Sequence, residues 1–356
     1  MPNEPLKISR DEMYTAGVQD YIDTQASLAR NVEAPEPQSW FRRLFYSNWF
    51  YLMIWGTIGA LAAWGAIEPF LDDKVFIRDD HDDYYDFILF GSVAAAVGLF
   101  LGAAEGIMCR NLQRALTSGA IGLGVGLLGG IIACIPAIYF YQLSWAIAIQ
   151  MADHENGRMT PLSTFIVMLG RAGAWGMVAI PAGLGQGIAT REPKVIINGI
   201  LGGVLGGIIG GFVFDPIYMM FPPTDGQATL SRGIGIGIIG LTVGLFIGLI
   251  EGWTKTAWLL MRKGPLAGKQ FILFKDTTML GSSPKAEIYL FKDPAIEPKH
   301  AVIYNRGGRF EIEDCNTPDG THINGVPLVG KRTLQPGDQV VLGKTVLEFA
   351  LKDAGT

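Results

Sequence analysis

Long apolar runs separated by short polar stretches fill residues 49–260, and after Gly264 the pattern changes to short β-prone runs broken by turn residues. A membrane span needs roughly 20 predominantly apolar residues. Six segments reach that length: 49–71, 87–108, 119–141, 163–187, 196–220 and 233–260. The apolar stretch Leu143–Gln150 reads as an interfacial segment after the third span. Residues 1–39 are polar. There Ser9 and Glu12 have capping-box spacing, and Tyr14, Val18, Tyr21 and Leu28 fall near helical spacing, which fits a weakly amphipathic helix and a partly ordered tail equally. Two prolines mark Glu33–Ser39 as a linker. The aromatic and arginine-rich run from Trp40 to Tyr51 then suits the headgroup layer at a membrane entry.

Charge between the runs sets the expected orientation. Loop 72–86 carries Lys74 and Arg78 against seven aspartates, whereas the next loop has Arg110 and Arg114 with no acid between them. Arg158 is accompanied by Asp153 and Glu155, Arg191 and Lys194 follow the fourth span, and Arg232 has Asp225 nearby. Lys255, Arg262 and Lys263 close the last span. Basic loops stay cytoplasmic, so the alternation places both termini on the cytoplasmic side. The first thirty residues have no apolar export core, so the first span is expected to drive insertion. A bacterial inner membrane suits this arrangement.

An internal repeat accompanies the spans. Gly98–Gly106 (GLFLGAAEG) resembles Gly244–Gly252 (GLFIGLIEG), and a degenerate copy occupies Gly183–Gly187. All three copies end a span of the same direction, so the expected unit is a hairpin: span two with three, span four with five, and span six followed by the C-terminal segment.

The chain has 356 residues, of which 47 are glycine, 49% are hydrophobic and 17% are charged. Ordinary globular chains carry about 7% glycine, and here the excess lies inside the apolar runs. Glycines recur at every fourth position, as in Gly98, Gly102 and Gly106, in Gly122, Gly126 and Gly130, in Gly199, Gly203, Gly207 and Gly211, and in Gly240, Gly244, Gly248 and Gly252. Such glycine zippers let helix backbones approach closely in lipid. Tight packing within the chain or in a homo- or hetero-oligomer is the expected role; sliding or gating, as in a channel, is the alternative. The formal net charge of −5 shows no basic excess for nucleic acid. Cys109, Cys134 and Cys315 are scattered without metal-ligand spacing, and His81, His154, His300 and His322 have no partnered nucleophile. No catalytic residue, metal site or cofactor is expected.

Ionisable residues at membrane depth call for partners. Arg171 in span four and Asp215 in span five are a candidate intramembrane ion pair, with Glu68 placed near the same outer side. A structural pair and a transport site are the two readings. Glu105 and Glu251 fall near the cytoplasmic interface, within reach of Arg110 and Lys255.

Beyond Gly264, β-prone runs at 271–274, 277–281, 288–291, 300–305, 309–314, 321–324 and 339–350 argue for a β-sandwich. Leu280-Gly281-Ser282-Ser283-Pro284, Glu297-Pro298-Lys299-His300-Ala301, the stretch Asp314–Gly325 (DCNTPDGTHING) and Leu334-Gln335-Pro336-Gly337-Asp338 follow in order. Over about 85 residues these motifs resemble the forkhead-associated (FHA) family. The resemblance implies a β-sandwich whose apical loops bind phosphothreonine peptides through Ser282, Ser283, Glu297, Lys299, Thr317 and Asp319, held by a framework of Gly281, His300, Gly320, Thr321, Asn324 and Gly325. Three loop positions depart from the family: Ser282 stands for its phosphate-binding arginine, Glu297 for a serine and Asp319 for an asparagine. A phosphate carries nearly two negative charges, so one lost cation and two added acids favour phosphate-independent protein contact.

The expected organisation is therefore a cytoplasmic segment over 1–48, an all-α six-helix transmembrane bundle over 49–264 and an all-β FHA-type sandwich over 265–356. The expected role is a membrane-anchored scaffold or signalling protein that presents its FHA-like domain to a cytoplasmic or membrane protein partner. A small channel or transporter regulated by that domain, and phosphothreonine-dependent recruitment of partners, are the alternatives.

Overall fold

The computed structural model describes residues 40–70, 84–152, 159–222 and 228–352. The N-terminal helix around Tyr14 and Val18, the linker at 33–39, and loop positions such as Asp225 and Glu155 lie outside them. The chain divides into two compact units, one of Leu44–Lys255 and one that groups Thr256–Thr356 with the residues up to Arg43.

A short helix α1 (Trp40–Phe45) spans the boundary of the units, and α2 (Asn48–Ile67) opens the helical unit and ends in a 3-10 turn at Glu68–Phe70. Then follow α3 (Tyr84–Met108), α4 (Leu112–Gln150), α5 (Pro161–Thr190), α6 (Pro193–Met220) and α7 (Thr229–Thr254). Helices α2 to α7 are all long and apolar enough to cross a membrane. Their ends follow local chemistry. The Asn111 side chain caps α4 by accepting from the Arg114 amide at 3.0 Å, and Thr160 caps α5 through the Ser163 amide at 3.1 Å. Pro161 and Pro193 occupy first turns, where their missing N–H costs nothing.

The third span is longer than hydropathy suggested. Leu112–Gln150 is one continuous helix of 39 residues, and the stretch 143–150, expected as a separate interfacial segment, is its last two turns. Pro136 lies inside it without ending it. The sixth span is shorter: its helix stops at Thr254, and residues 257–260 belong to a strand.

The six long helices form a closed ring in chain order, with α7 returning to α2, and α3 also packs on α5. Glycine sets the spacing at each antiparallel contact. A Cβ on Gly98 or Gly122 would run into the other's backbone carbonyl between α3 and α4, and Gly183 and Gly199 stand in the same reciprocal relation between α5 and α6. Gly56 and Gly240 do so between α2 and α7. Helix α6 carries a second stripe, Gly202, Gly206 and Gly210, that meets Ile247, Val243 and Ile239 of α7. The stripes read from the sequence thus face neighbours within the chain, except at Gly252, where nothing lies within 4 Å. Close backbone approach gains dispersion and Cα–H···O contact that lipid cannot replace.

In the second unit, β1 (Ala257–Lys263), β2 (Gln270–Ile272), β7 (Thr321–Ile323), β8 (Val326–Pro327), β10 (Gln339–Leu342) and β11 (Thr345–Leu351) form a sheet in the order β2-β1-β11-β10-β7-β8. The other sheet has β3 (Thr277–Gly281), β4 (Ile288–Tyr289), β5 (Ala301–Arg306), β6 (Arg309–Asp314) and β9 (Lys331–Thr333), ordered β4-β3-β5-β6-β9. Every pairing is antiparallel except β3 with β4. Leu259, Met261, Leu280, Ile303, Ile312, Leu347 and Phe349 are buried between the sheets, and the rings of Phe310 and Phe349 meet at 5.4 Å. Strand β1 was assigned to the last span because it is apolar on both faces; a short apolar run does not tell strand from helix. Its Ala257, Leu259 and Met261 are core residues of the sandwich, and the Lys352 amide donates to Thr256 O at 2.8 Å to close the sheet's end.

Replacing Gly98 or Gly183 with leucine is expected to cost about 3 kcal/mol or more, because backbone rather than a movable side chain occupies the space. Gly124→Leu, with nothing within 4 Å, should be tolerated. Thermal unfolding of the detergent-purified variants checks the contrast.

Candidate functional site

Three loops converge at one end of the sandwich: Ser282–Glu287 after β3, Leu290–His300 before β5, and Cys315–Gly320 after β6. Backbone hydrogen bonds join them. Ser282 N donates to Glu297 O at 2.9 Å, Ser283 N to Pro298 O at 3.3 Å, and Cys315 N to His300 O at 2.9 Å. Gly281 makes the first two possible, because any side chain there would strike the Pro298 carbonyl.

His300 is fully buried and ties the loops from inside. Its Nδ1 accepts from the Glu297 amide at 3.1 Å, so the proton sits on Nε2, which donates to Gly320 O at 3.3 Å. Asp314 is the second tie. It accepts from the Thr317 amide at 2.9 Å and hydroxyl at 2.9 Å, and from the Thr321 hydroxyl at 2.6 Å. Burial pushes the Asp314 carboxyl up, but the bonds from Thr321 and Thr317 and the nearby His300 outweigh it and hold the pKa below the ordinary aspartate value. At the next turn, Asn324 donates to Asp338 Oδ1 at 2.7 Å and accepts from the Gln339 amide at 2.8 Å. Both Asn324 and Gly325 have positive φ there.

The rim differs from this interior. Ser282, Ser283 and Thr317 are half-buried, whereas Lys285, Glu297, Lys299 and Asp319 are exposed. The exposed charges of these three loops are the ammonium groups of Lys285, Lys292 and Lys299 and the carboxylates of Glu297 and Asp319, and no guanidinium lies in the loops. The Thr317 hydroxyl donates its proton to Asp314, which leaves that donor committed within the fold. The residues named from the sequence thus lie at one end, with Gly281, His300, Gly320 and Thr321 bridging the loops, while Asn324 and Gly325 serve the adjoining β7–β8 turn. The role of Asp314 was missed, although an aspartate three residues before a threonine is a readable signal for a side-chain-to-backbone tie.

In the helical unit, Arg171 Nε lies 3.1 Å from Asp215 Oδ1. The same guanidinium donates to Tyr141 Oη at 2.9 Å and stacks 5.0 Å from the Phe214 ring centroid. Glu68 does not join that pair: it takes a bidentate contact from Arg232 at 2.8 and 2.9 Å. Glu105 pairs with Arg114 at 3.2 Å, and Arg110 has a left-handed backbone in the short link between α3 and α4. The Glu251 carboxylate accepts from the Asn48 side-chain amide of α2.

Comparison with known proteins places the C-terminal unit. The FHA domain family matches residues 278–343. The glycogen accumulation regulator GarA of Mycolicibacterium smegmatis is 36% identical over 101 residues, covering 28% of this chain and 63% of the regulator. An oxoglutarate dehydrogenase inhibitor of Corynebacterium jeikeium is 34% identical over 102 residues, covering 29% of this chain and 67% of the inhibitor. The FhaA FHA domain, solved in a complex with the intracellular domain of Rv3910, is 24% identical, covers 26% of this chain and 99% of that domain, and superposes with a TM-score of 0.25. The chain thus spans a little under two thirds of the first of these relatives, and each match covers less than a third of the chain.

His300→Ala is expected to cost about 2–4 kcal/mol, since it opens a cavity and strands the Glu297 amide and Gly320 carbonyl. The lowered Asp314 pKa means that the folded state binds this proton less readily than the unfolded chain. Its stabilisation is present above the ordinary aspartate pKa and fades as pH falls through the folded value. Chemical denaturation from pH 7 to pH 3 should show a shallower acid loss in Asp314→Asn than in the wild type.

Proposed function

Since residues 278–343 are an FHA domain, we propose that this protein is a membrane-anchored signalling scaffold that presents the domain on the cytoplasmic side for contact with a protein partner, without a requirement for phosphothreonine. FHA domains bind partner proteins, and relatives of this one are regulators. Six helices of membrane-spanning length and composition support the anchor. The alternation of basic and acidic loops supports a cytoplasmic location for both ends, and the bacterial sources of the relatives suit an inner membrane.

The observation that carries phosphate independence is the contrast between interior and rim. The loop framework keeps its glycine, histidine and hydroxyl ties, so the surface is held in shape. The groups that would meet a dianion are instead a serine, a glutamate and an aspartate at Ser282, Glu297 and Asp319. Lys285 and Lys299 supply positive charge at the same rim, which favours a partner offering both carboxylates and cationic or hydroxyl groups over a phosphate alone. A packing role for the glycine zippers is favoured over gating or oligomer contact, because neighbouring helices of the same chain occupy those faces. The Arg171–Asp215 pair likewise suits a structural neutralisation of charge at depth.

Calorimetry of the full chain in detergent with a phosphothreonine peptide should give no binding tighter than about 1 mM. Ser282→Arg combined with Glu297→Ser and Asp319→Asn should bring it into the micromolar range. Wild-type binding at micromolar affinity would reject phosphate independence. Partners captured from membranes by the wild type should be lost with Glu297→Lys and Lys299→Glu together, and equal recovery by both would count against the rim as the contact surface.

A further inference from the structure

We propose that the helical unit is built from three copies of one hairpin, that the third copy is assembled from the last and first long helices, and that an arginine–carboxylate clamp at corresponding positions fastens the second and third copies. The sequence repeat covers one arm of each copy only. The second arms and the clamp follow from the contacts.

The register of small residues is the same in all three antiparallel pairs. Between α5 and α6, Gly183 faces Gly199, Ala179 faces Gly203 and Trp175 faces Gly207. Between α3 and α4, Gly98 faces Gly122, Ala94 faces Gly126 and Phe90 faces Gly130. Between α7 and α2, Gly244 faces Leu52 and Gly240 faces Gly56. Leu52 of the first span thus occupies the place of Gly199 and Gly122. Gly98, Gly183 and Gly244 are the glycines that open the three repeat copies, so sequence and packing pick out the same positions.

One stripe further, the charges coincide as well. Arg171 and Arg232 each lie twelve residues before the opening glycine of their copy. Asp215 and Glu68 each lie sixteen residues after the position that faces that glycine, and a proline follows each acid, Pro216 and Pro69. Both arginines reach the acid at short range, at 3.1 Å for Arg171 and 2.8 Å for Arg232. Two long-range ion pairs that differ in chain order therefore belong to one repeated position. In the first copy those positions are Asp86 and Ile138, so that copy does not encode this clamp.

The third copy differs in one physical respect. Its arms are not joined by a turn, whereas two residues link α5 to α6 and three link α3 to α4. Side-chain and packing contacts hold α2 against α7: the Asn48 side-chain amide reaches Glu251 at the end where the other copies turn, and Glu68 with Arg232 fastens the opposite end. The clamp should matter more for holding α2 in place than its counterpart matters for α6.

The test uses the full chain in mild detergent with a protease site inserted between residues 72 and 83. After cleavage, the fragment holding α2 should stay bound to the remainder on size exclusion. Glu68→Arg or Arg232→Glu should release most of that fragment, and Glu68→Arg with Arg232→Glu should restore retention to near the wild-type level. A site inserted between residues 191 and 192 divides the chain into a piece ending in α5 and a piece beginning with α6, and Asp215→Arg should separate these two pieces less than Glu68→Arg releases α2. If a reversed variant does not accumulate, Glu68→Gln and Arg232→Gln remove the attraction without adding repulsion, and each should lower retention severalfold. Wild-type retention in the single variants, or a double exchange no better retained than either single, would overturn the clamp.

Discussion

Glycine against carbonyl, across antiparallel helices, is the contact on which the helical unit depends. Hydrocarbon offers two helices no hydrophobic reason to meet, so association must come from the closeness of their backbones and from polar groups that need one another. At Gly98 with Gly122, Gly183 with Gly199 and Gly56 with Gly240, the two chains approach until no side chain fits between them. Helix α6 does this on two faces at once, which is why it is richer in glycine than a single packing stripe requires. The arginines sit at one end of these stripes, where the helices have room for a long side chain and the acid it answers.

The β-sandwich solves a different problem with different chemistry. Its core is ordinary apolar burial between two sheets, but its loops must hold a shape at the edge of water. Two buried or half-buried groups do this: the His300 ring, donor on one side and acceptor on the other, and the Asp314 carboxylate, which gathers three donors. Because these ties lie beneath the surface, the rim above them is free to change charge without loss of fold. That separation lets an FHA framework carry Ser282, Glu297 and Asp319 on its rim.

Much of this was readable in the sequence, and the failures have physical causes. Spans, stripes and the pairing of Arg171 with Asp215 follow from composition and spacing, which reflect the solvent directly. The FHA loops follow from motifs whose glycines and asparagine meet backbone demands, as the left-handed Asn324 illustrates. Strand β1 was misread because Ala257-Trp258-Leu259-Leu260-Met261 is buried or half-buried on both faces and so mimics the end of a span. The length of α4 was misread because Gln142, Ser144 and Gln150 interrupt hydropathy without breaking the helix. The partner of Glu68 was out of reach, since Arg232 lies 164 residues away and only the closing of α7 onto α2 brings it near.

The proposed tethering of the FHA domain on the cytoplasmic side makes one cysteine a direct reporter. Cys315 is exposed on the loop after β6, whereas Cys109 and Cys134 are buried among helices. A membrane-impermeant maleimide added to inverted membrane vesicles should label the native chain at Cys315, intact cells should leave it unlabelled until they are permeabilised, and alkaline-washed membranes should retain the protein. Labelling of Cys315 in intact cells, or recovery of the chain in the soluble fraction, would contradict the tethered cytoplasmic domain.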